Sequence, residues 1–170
     1  MQATDVLQDA FGRIRSLVHN AGTDLDAEAL AFRPAPEANS IAWLLWHLTR
    51  VQDSHVAEIA GKDQVWAAGP WAAELGRPAD PADTGYGHTS QEVAAVRPER
   101  PDALLTYHEA VVARTLDWLS SATEDELERI IDRRYDPPVS VGVRLTSVVS
   151  DNLQHAGQAL YVRGIVERAV

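Results

Sequence analysis

Asp151 and His155 stand four residues apart in SDNLQHAGQALYVRG, a stretch otherwise patterned as a helix. Side chains at i and i+4 lie one above the other, about 5 to 6 Å apart at Cβ, so the carboxylate and the imidazole can address one ion from a single turn. Their neighbours on that face are Val148, Ala159 and Val162. An ionised carboxylate is costly to bury among such residues, and a divalent cation is its most economical compensator. A third ligand must come from another helix. His47, inside WLLWHLTR, is the best candidate because it interrupts an apolar face formed by Trp43, Leu44 and Val51, and bundles build metal sites from inward residues on facing helices. Two imidazoles and one carboxylate leave coordination positions open for water or substrate, a donor set that suits Zn²⁺, Fe²⁺, Ni²⁺ or Mn²⁺ alike. The competing account of the same residues is a buried, hydrogen-bonded Asp151–His155 pair facing an unrelated core histidine.

The remaining polar candidates are weaker. His55 lies eight residues beyond His47, about 12 Å along a helix axis, too far to share its ion, and is expected at a partly exposed position. His108 sits on an apolar helical face, where it is either a satisfied core histidine or a fourth ligand or general base. His88, in GYGHTS, lies in a connection that can carry it and Tyr86 over the open face of the ion; its competing role is turn chemistry around Gly85 and Gly87. His19 falls near a helix C-terminus, a surface position that favours cations. Arg163, two turns after His155, either pairs with a neighbouring helix or binds a substrate anion. Trp43, Trp46 and Trp118 are expected to pack.

Four long stretches of helical period must position these residues, and no stretch of period two stands out between them. They run from about Thr4 to Ala21, Ile41 to Ala60, Asp102 to Ser120, and from near Ser140 onward. Asn39 or Ser40 can cap the second and Gly61 end it. Thr89 and Glu92 form a capping box for a short helix, and a short acidic helix is expected over Glu124 to Leu127. The expectation is an all-α chain, four antiparallel helices forming one bundle domain over residues 1–170. Its long connection, between the second and third helices, is packed by Trp66 and Trp71.

Composition narrows the chemistry further. Of the 170 residues, 45% are hydrophobic, the formal net charge is −10 and there is no Cys. An acidic surface disfavours nucleic acid and anionic lipid, and the longest apolar run, Ile41 to Trp46, falls far short of the roughly 20 residues that span a bilayer. The opening residues lack the pattern of a secretory signal, so a cytoplasmic protein acting on a small molecule is expected. Without Cys, any metal must be held by His and carboxylates. Trp and Leu faces on the first and third helices are compatible with a homodimer.

SIAWLLWHLTRVQD, DTGYGHTSQEV and DNLQHAGQALYVRG together resemble the DinB-like superfamily, in particular its branch grouped with mycothiol-dependent transferases and maleylpyruvate isomerases. The likeness extends over nearly the whole chain. It implies a four-helix bundle of DinB type, with a divalent metal held by one His of the second helix and two ligands one turn apart on the last, here His47, Asp151 and His155. The commonest pattern has three His; Asp151 makes this site more anionic by one charge, which favours harder ions. The implied activity is transfer of a low-molecular-weight thiol such as mycothiol to a small electrophile, the metal stabilising the thiolate, with His88 or His108 handling protons and Arg163 contacting an anion. Metal-dependent hydrolysis, and a non-catalytic, stress-associated metal-binding role, are the alternatives.

Overall fold

The computed structural model describes residues 1–169. Its helices are α1 (Ala3–Gly22), α2 (Ala27–Ala31), α3 (Ile41–Ala60), α4 (Val65–Ala68), α5 (Trp71–Glu74), α6 (Ser90–Ala94), α7 (Asp102–Ser121), α8 (Glu124–Glu128) and α9 (Val141–Ala169). Between α8 and α9 lies an antiparallel pair of short strands, β1 (Ile130–Asp132) and β2 (Val139–Ser140). The chain is therefore not purely helical; strands of two and three residues are too short to show alternation in a sequence. No helix among the described residues is long and apolar enough to cross a membrane.

Local chemistry sets the limits of α3, the helix that carries His47. The Ser40 hydroxyl accepts from the Trp43 N–H at 3.1 Å, satisfying one orphan donor of the first turn. Gly61 ends the helix in the left-handed region with φ 61°, a conformation open to glycine at little cost. Thr89 and Glu92 form the expected capping box at the start of α6. Between these points α3 is buried almost all round, because it packs against both α7 and α9 and is roofed by the connection from residue 61 to residue 101.

The four long helices are not all antiparallel neighbours. His47 faces His155 while His55 faces Arg144, so α3 and α9 run in opposite directions. Gly22 meets Leu105 while Arg15 bonds Glu109, which makes α1 and α7 antiparallel too. Thr49 meets His108 and Gln52 meets Thr115, however, so α3 and α7 point the same way. The long connection follows from this topology, since a 20-residue helix is about 30 Å long and the chain must return that distance before α7 can begin.

A buried ionic cluster folds the connection onto α3. Arg50 and Asp53 are fully buried. Asp53 accepts from the backbone N–H groups of Val65 and Trp66 at 2.9 and 2.8 Å and from the Tyr107 hydroxyl at 2.7 Å. Arg50 donates to Tyr107, to the Gln64 side chain and to the carbonyls of Pro81 and Asp83. With the Asp80 carbonyl, which Arg50 also reaches at 3.4 Å, six residues of the connection are thus held by two side chains of α3. Trp66 lies under the Arg50 guanidinium, 5.0 Å from ring centre to Cζ, and its burial bears out the expectation that the connection is packed.

Candidate metal centre

The antiparallel packing of α3 against α9 brings His47, Asp151 and His155 together, each offering a donor atom within 4.8 Å of the others. Nε2 of His155 is 3.5 Å from Oδ1 of Asp151, and the two imidazoles stand nearly perpendicular with centroids 4.8 Å apart. Each ring has its other nitrogen committed. Nδ1–H of His47 donates to the Thr84 carbonyl and Nδ1–H of His155 donates to Oε1 of Gln158 at 2.9 Å. Those bonds fix the tautomers that leave both Nε2 lone pairs free, the arrangement found around histidines that bind metals. Among the described residues Oδ2 of Asp151 is buried with no hydrogen-bond partner. A buried, unpartnered carboxylate oxygen beside two imidazole lone pairs is what a cation would satisfy and what a self-sufficient Asp–His pair would not leave.

The charge states suit the same task. Burial, only partly offset by the Thr84 carbonyl, holds the His47 imidazole below its ordinary pKa, so it is neutral at pH 7. Burial works against ionisation of both Asp151 and His155, but their mutual hydrogen bond and charge outweigh it, lowering the carboxyl and raising the imidazole. In the neutral ring the His155 Nε2 lone pair is free, and a proton bound there competes with a cation for it. A divalent ion would replace that proton.

The connection builds the second layer. Trp43 stacks on His47 with centroids 4.5 Å apart and an interplanar angle of 12°. The Trp43 indole donates to Nδ1 of His88 at 3.1 Å, and Nε2–H of His88 donates to Oδ1 of Asp83 at 2.9 Å. Asp83 also accepts from the Gly85 N–H at 3.2 Å and from Arg77 at 2.8 Å. This chain sets the path of residues 83–88 and hence the position of the Thr84 carbonyl. Gly85 has φ +87°, and a Cβ there would lie 2.9 Å from Nδ1 of His47 and 2.9 Å from the Trp46 ring. Only glycine permits so close an approach.

A family model described as the DinB superfamily matches residues 10–159. The chain belongs to the DinB superfamily. A crystal structure of a conserved protein from Enterococcus faecalis is similar over 96% of this DinB chain and 96% of that one, with a TM-score of 0.88 and 29% sequence identity. No curated protein matches the chain. Membership agrees with the helical bundle and with a metal-binding role for a helical protein of this kind.

A cavity of about 380 Å³ opens beside the triad of this DinB protein, lined by His47 and Asp151 together with Val51, Ser54, His55, Thr84, Tyr86, Ser147 and Val148. Tyr86 stands almost fully exposed at its mouth. The other histidines expected near the ion have different surroundings. Both ring nitrogens of His88 are bonded to protein groups, which ties it to Trp43 and to Asp83 of the connection. His108 lies on the far side of α3 from His47, since Thr49, its hydrogen-bond partner at 3.1 Å, is two residues away and some 200° round the helix. Arg163 donates to the carbonyls of Asn20 and Thr23 at 2.8 Å and to Glu167 at 2.7 Å, closing the end of α1. Neither His108 nor Arg163 lines the cavity.

Three contributors escaped the sequence reading. The Thr84 carbonyl acts through a hydrogen bond that no residue pattern announces, whereas Gln158 had a signal, standing three residues after His155 on the same helix. His55 had a signal: His47, Val51 and His55 recur at four-residue spacing and so share a flank of α3. Axial distance placed His55 beyond reach of the ion, but the cavity beside the triad extends to it.

Proposed function

We propose that His47 and His155, through Nε2, and Asp151, through its carboxylate, hold a divalent cation with open positions facing the cavity, and that the protein is a metal-dependent enzyme transferring a low-molecular-weight thiol to a small electrophile. The observation that carries the metal is the buried Asp151 Oδ2 without a partner, set beside two imidazoles whose tautomers are fixed by Thr84 and Gln158. A bound divalent cation supplies Lewis acidity that holds a thiol as thiolate or lowers the pKa of a bound water toward about 7. The thiol proton leaves to solvent, the sulfur forms a bond to the electrophilic carbon, and the displaced electron pair takes up a proton. Sulfur must come from the substrate, because the chain has no Cys. Thiol transfer, with mycothiol as the thiol, rests on the resemblance of the three motifs to the transferase branch. Two imidazoles and one carboxylate also suit water activation, and the cavity of about 380 Å³ is of ordinary size for a small-molecule site.

Metal analysis of protein purified without added ion tests the site: wild type is expected to carry a divalent ion and His155→Ala to lose most of it. Unchanged stoichiometry in the variant would refute the ligand set. Cobalt-loaded protein then separates the chemistries. A sulfur-to-cobalt charge-transfer band on adding a small thiol supports transfer, and its absence would turn the reading toward hydrolysis.

A further inference from the structure

His55 stands at the end of the cavity away from the triad, about two helical turns along α3 from His47. Its Nδ1 accepts a hydrogen bond from Nη1 of Arg144 at 2.9 Å. An arginine can only donate, and Oε2 of Glu58, the acceptor on the same side, lies 3.7 Å from Nδ1, beyond hydrogen-bond distance, so the closer Arg144 favours the neutral ring with a bare Nδ1 and its proton on Nε2. Arg144 is itself fixed, for it also reaches Asp132 of β1 at 3.3 Å and Glu58 at 3.9 Å. Asp132 is in turn gripped by Arg134 at 2.7 Å. The hairpin between α8 and α9 therefore sets the arginine, and the arginine sets the imidazole tautomer. Among the described residues His55 Nε2 has no hydrogen-bond partner, and the atom is not sealed from solvent.

We infer that His55 is a substrate-binding residue: its Nε2–H, held by Arg144, donates a hydrogen bond to an oxygen acceptor on the non-reacting end of the substrate whose reacting group sits at the triad. This rests on the proposed metal site and adds to it the substrate class, a small molecule with a carboxylate or carbonyl oxygen a few atoms from its sulfur or electrophilic carbon. The walls between the two ends fit such a molecule. Val51 and Val148 offer apolar surface to a short carbon chain, and Ser54 and Ser147 add hydroxyls along it. A fixed donor at the end of an apolar channel favours an acceptor and disfavours a methyl group of the same size.

Two measurements test the inference. In cobalt-loaded protein, a series of ω-mercaptocarboxylates, their amides and the alkanethiols of equal length is titrated by the sulfur-to-cobalt band. At the best chain length the oxygen-bearing thiols are expected to bind about tenfold more tightly than the alkanethiol, the usual worth of one added hydrogen bond. That preference should vanish in His55→Leu and survive in part in His55→Gln, with cobalt affinity unchanged in both. Carboxylate favoured over amide would mark an anionic substrate, and equal gains a carbonyl; both support a donor at His55. An oxygen preference absent from wild type, or intact in His55→Leu, would overturn the inference while leaving the metal site standing. Failure to bind cobalt would instead remove the proposed function and this reading of the cavity with it. The second measurement needs no metal: ¹⁵N-detected imidazole spectra near pH 7.5 are expected to show His55 with its proton on Nε2 and a bare Nδ1, lost in Arg144→Leu. A proton on Nδ1 would overturn the donor assignment.

Discussion

At the scale of single residues, the candidate centre depends as much on what restrains its ligands as on the ligands. His47 has one nitrogen to give because the other is bonded to the Thr84 carbonyl, and that carbonyl reaches it because residue 85 has no side chain. Gly85→Ala asks an L-residue to hold φ +87° and places a Cβ 2.9 Å from the imidazole. The backbone strain alone costs about 1 to 3 kcal/mol. Displacement of the carbonyl should weaken metal binding roughly 10- to 100-fold, as loss of an outer-layer partner does elsewhere. A chelator competition titration against wild type checks this, and equal affinities would mean that Thr84 does not orient His47. His108 is a different case, a histidine buried for packing. Burial pushes its pKa down to about 3, its Nδ1–H bonds Thr49, and its Nε2 has no partner. The folded state thus resists a proton that the unfolded chain accepts below pH 6.5. As pH falls from that value toward about 3, stability is lost at roughly 1.4 kcal/mol per pH unit. Urea unfolding at pH 7 and pH 4.5 should show this loss in wild type and a smaller one in His108→Leu, whatever the variant's stability at pH 7.

At the scale of elements, α3 is the organising helix, and its two ionised core residues tie the long connection down. Removing one of them leaves the other buried without its charge partner, which typically costs about 3 to 5 kcal/mol. Asp53→Ala would also orphan the N–H groups of Val65 and Trp66, to which Asp53 bonds at 2.9 and 2.8 Å. Its melting temperature should fall by roughly 10 °C or more, and proteolysis should cut first between α3 and α7. A melting temperature within a few degrees of wild type would show that the apolar contacts of Trp66 and Tyr107 hold the connection without the ionic cluster. The sequence announced α1, α3, α7 and α9 through long apolar stripes, and α6 through its Thr89–Glu92 capping box. It did not announce α2, α4, α5 or the β1–β2 hairpin. Elements of two to five residues complete too little of any period to register, and they exist because the larger helices offer them a surface.

At the scale of the whole molecule, fold and candidate site are expected to be energetically separable. The core runs from Phe11 and Ile14 of α1 through Leu44 and Leu48 of α3 to Leu104 of α7 and Leu145 of α9, apolar residues none of which belongs to the triad. Chelator treatment should therefore leave the helical circular dichroism signal nearly intact. Stability should fall, and the melting temperature with it, by an amount set by mass action, about 2.7 kcal/mol when free metal stands at 100 times its Kd. Loss of the helical signal on chelation would instead mark a metal that builds the fold. Sequence alone determined the four long helices, the absence of any Cys-based chemistry, and the three residue types set apart from their apolar faces, because periodicity and composition are local properties of a chain. Tertiary structure alone decided that α3 and α7 run the same way, that the Thr84 carbonyl and Gln158 fix the two tautomers, that Asp151 keeps an unpartnered oxygen, and that His55 shares the cavity while Arg163 closes α1 instead. Each of these depends on which atoms meet across more than thirty residues of chain or on which way a ring nitrogen faces, and neither is encoded in spacing along a single helix.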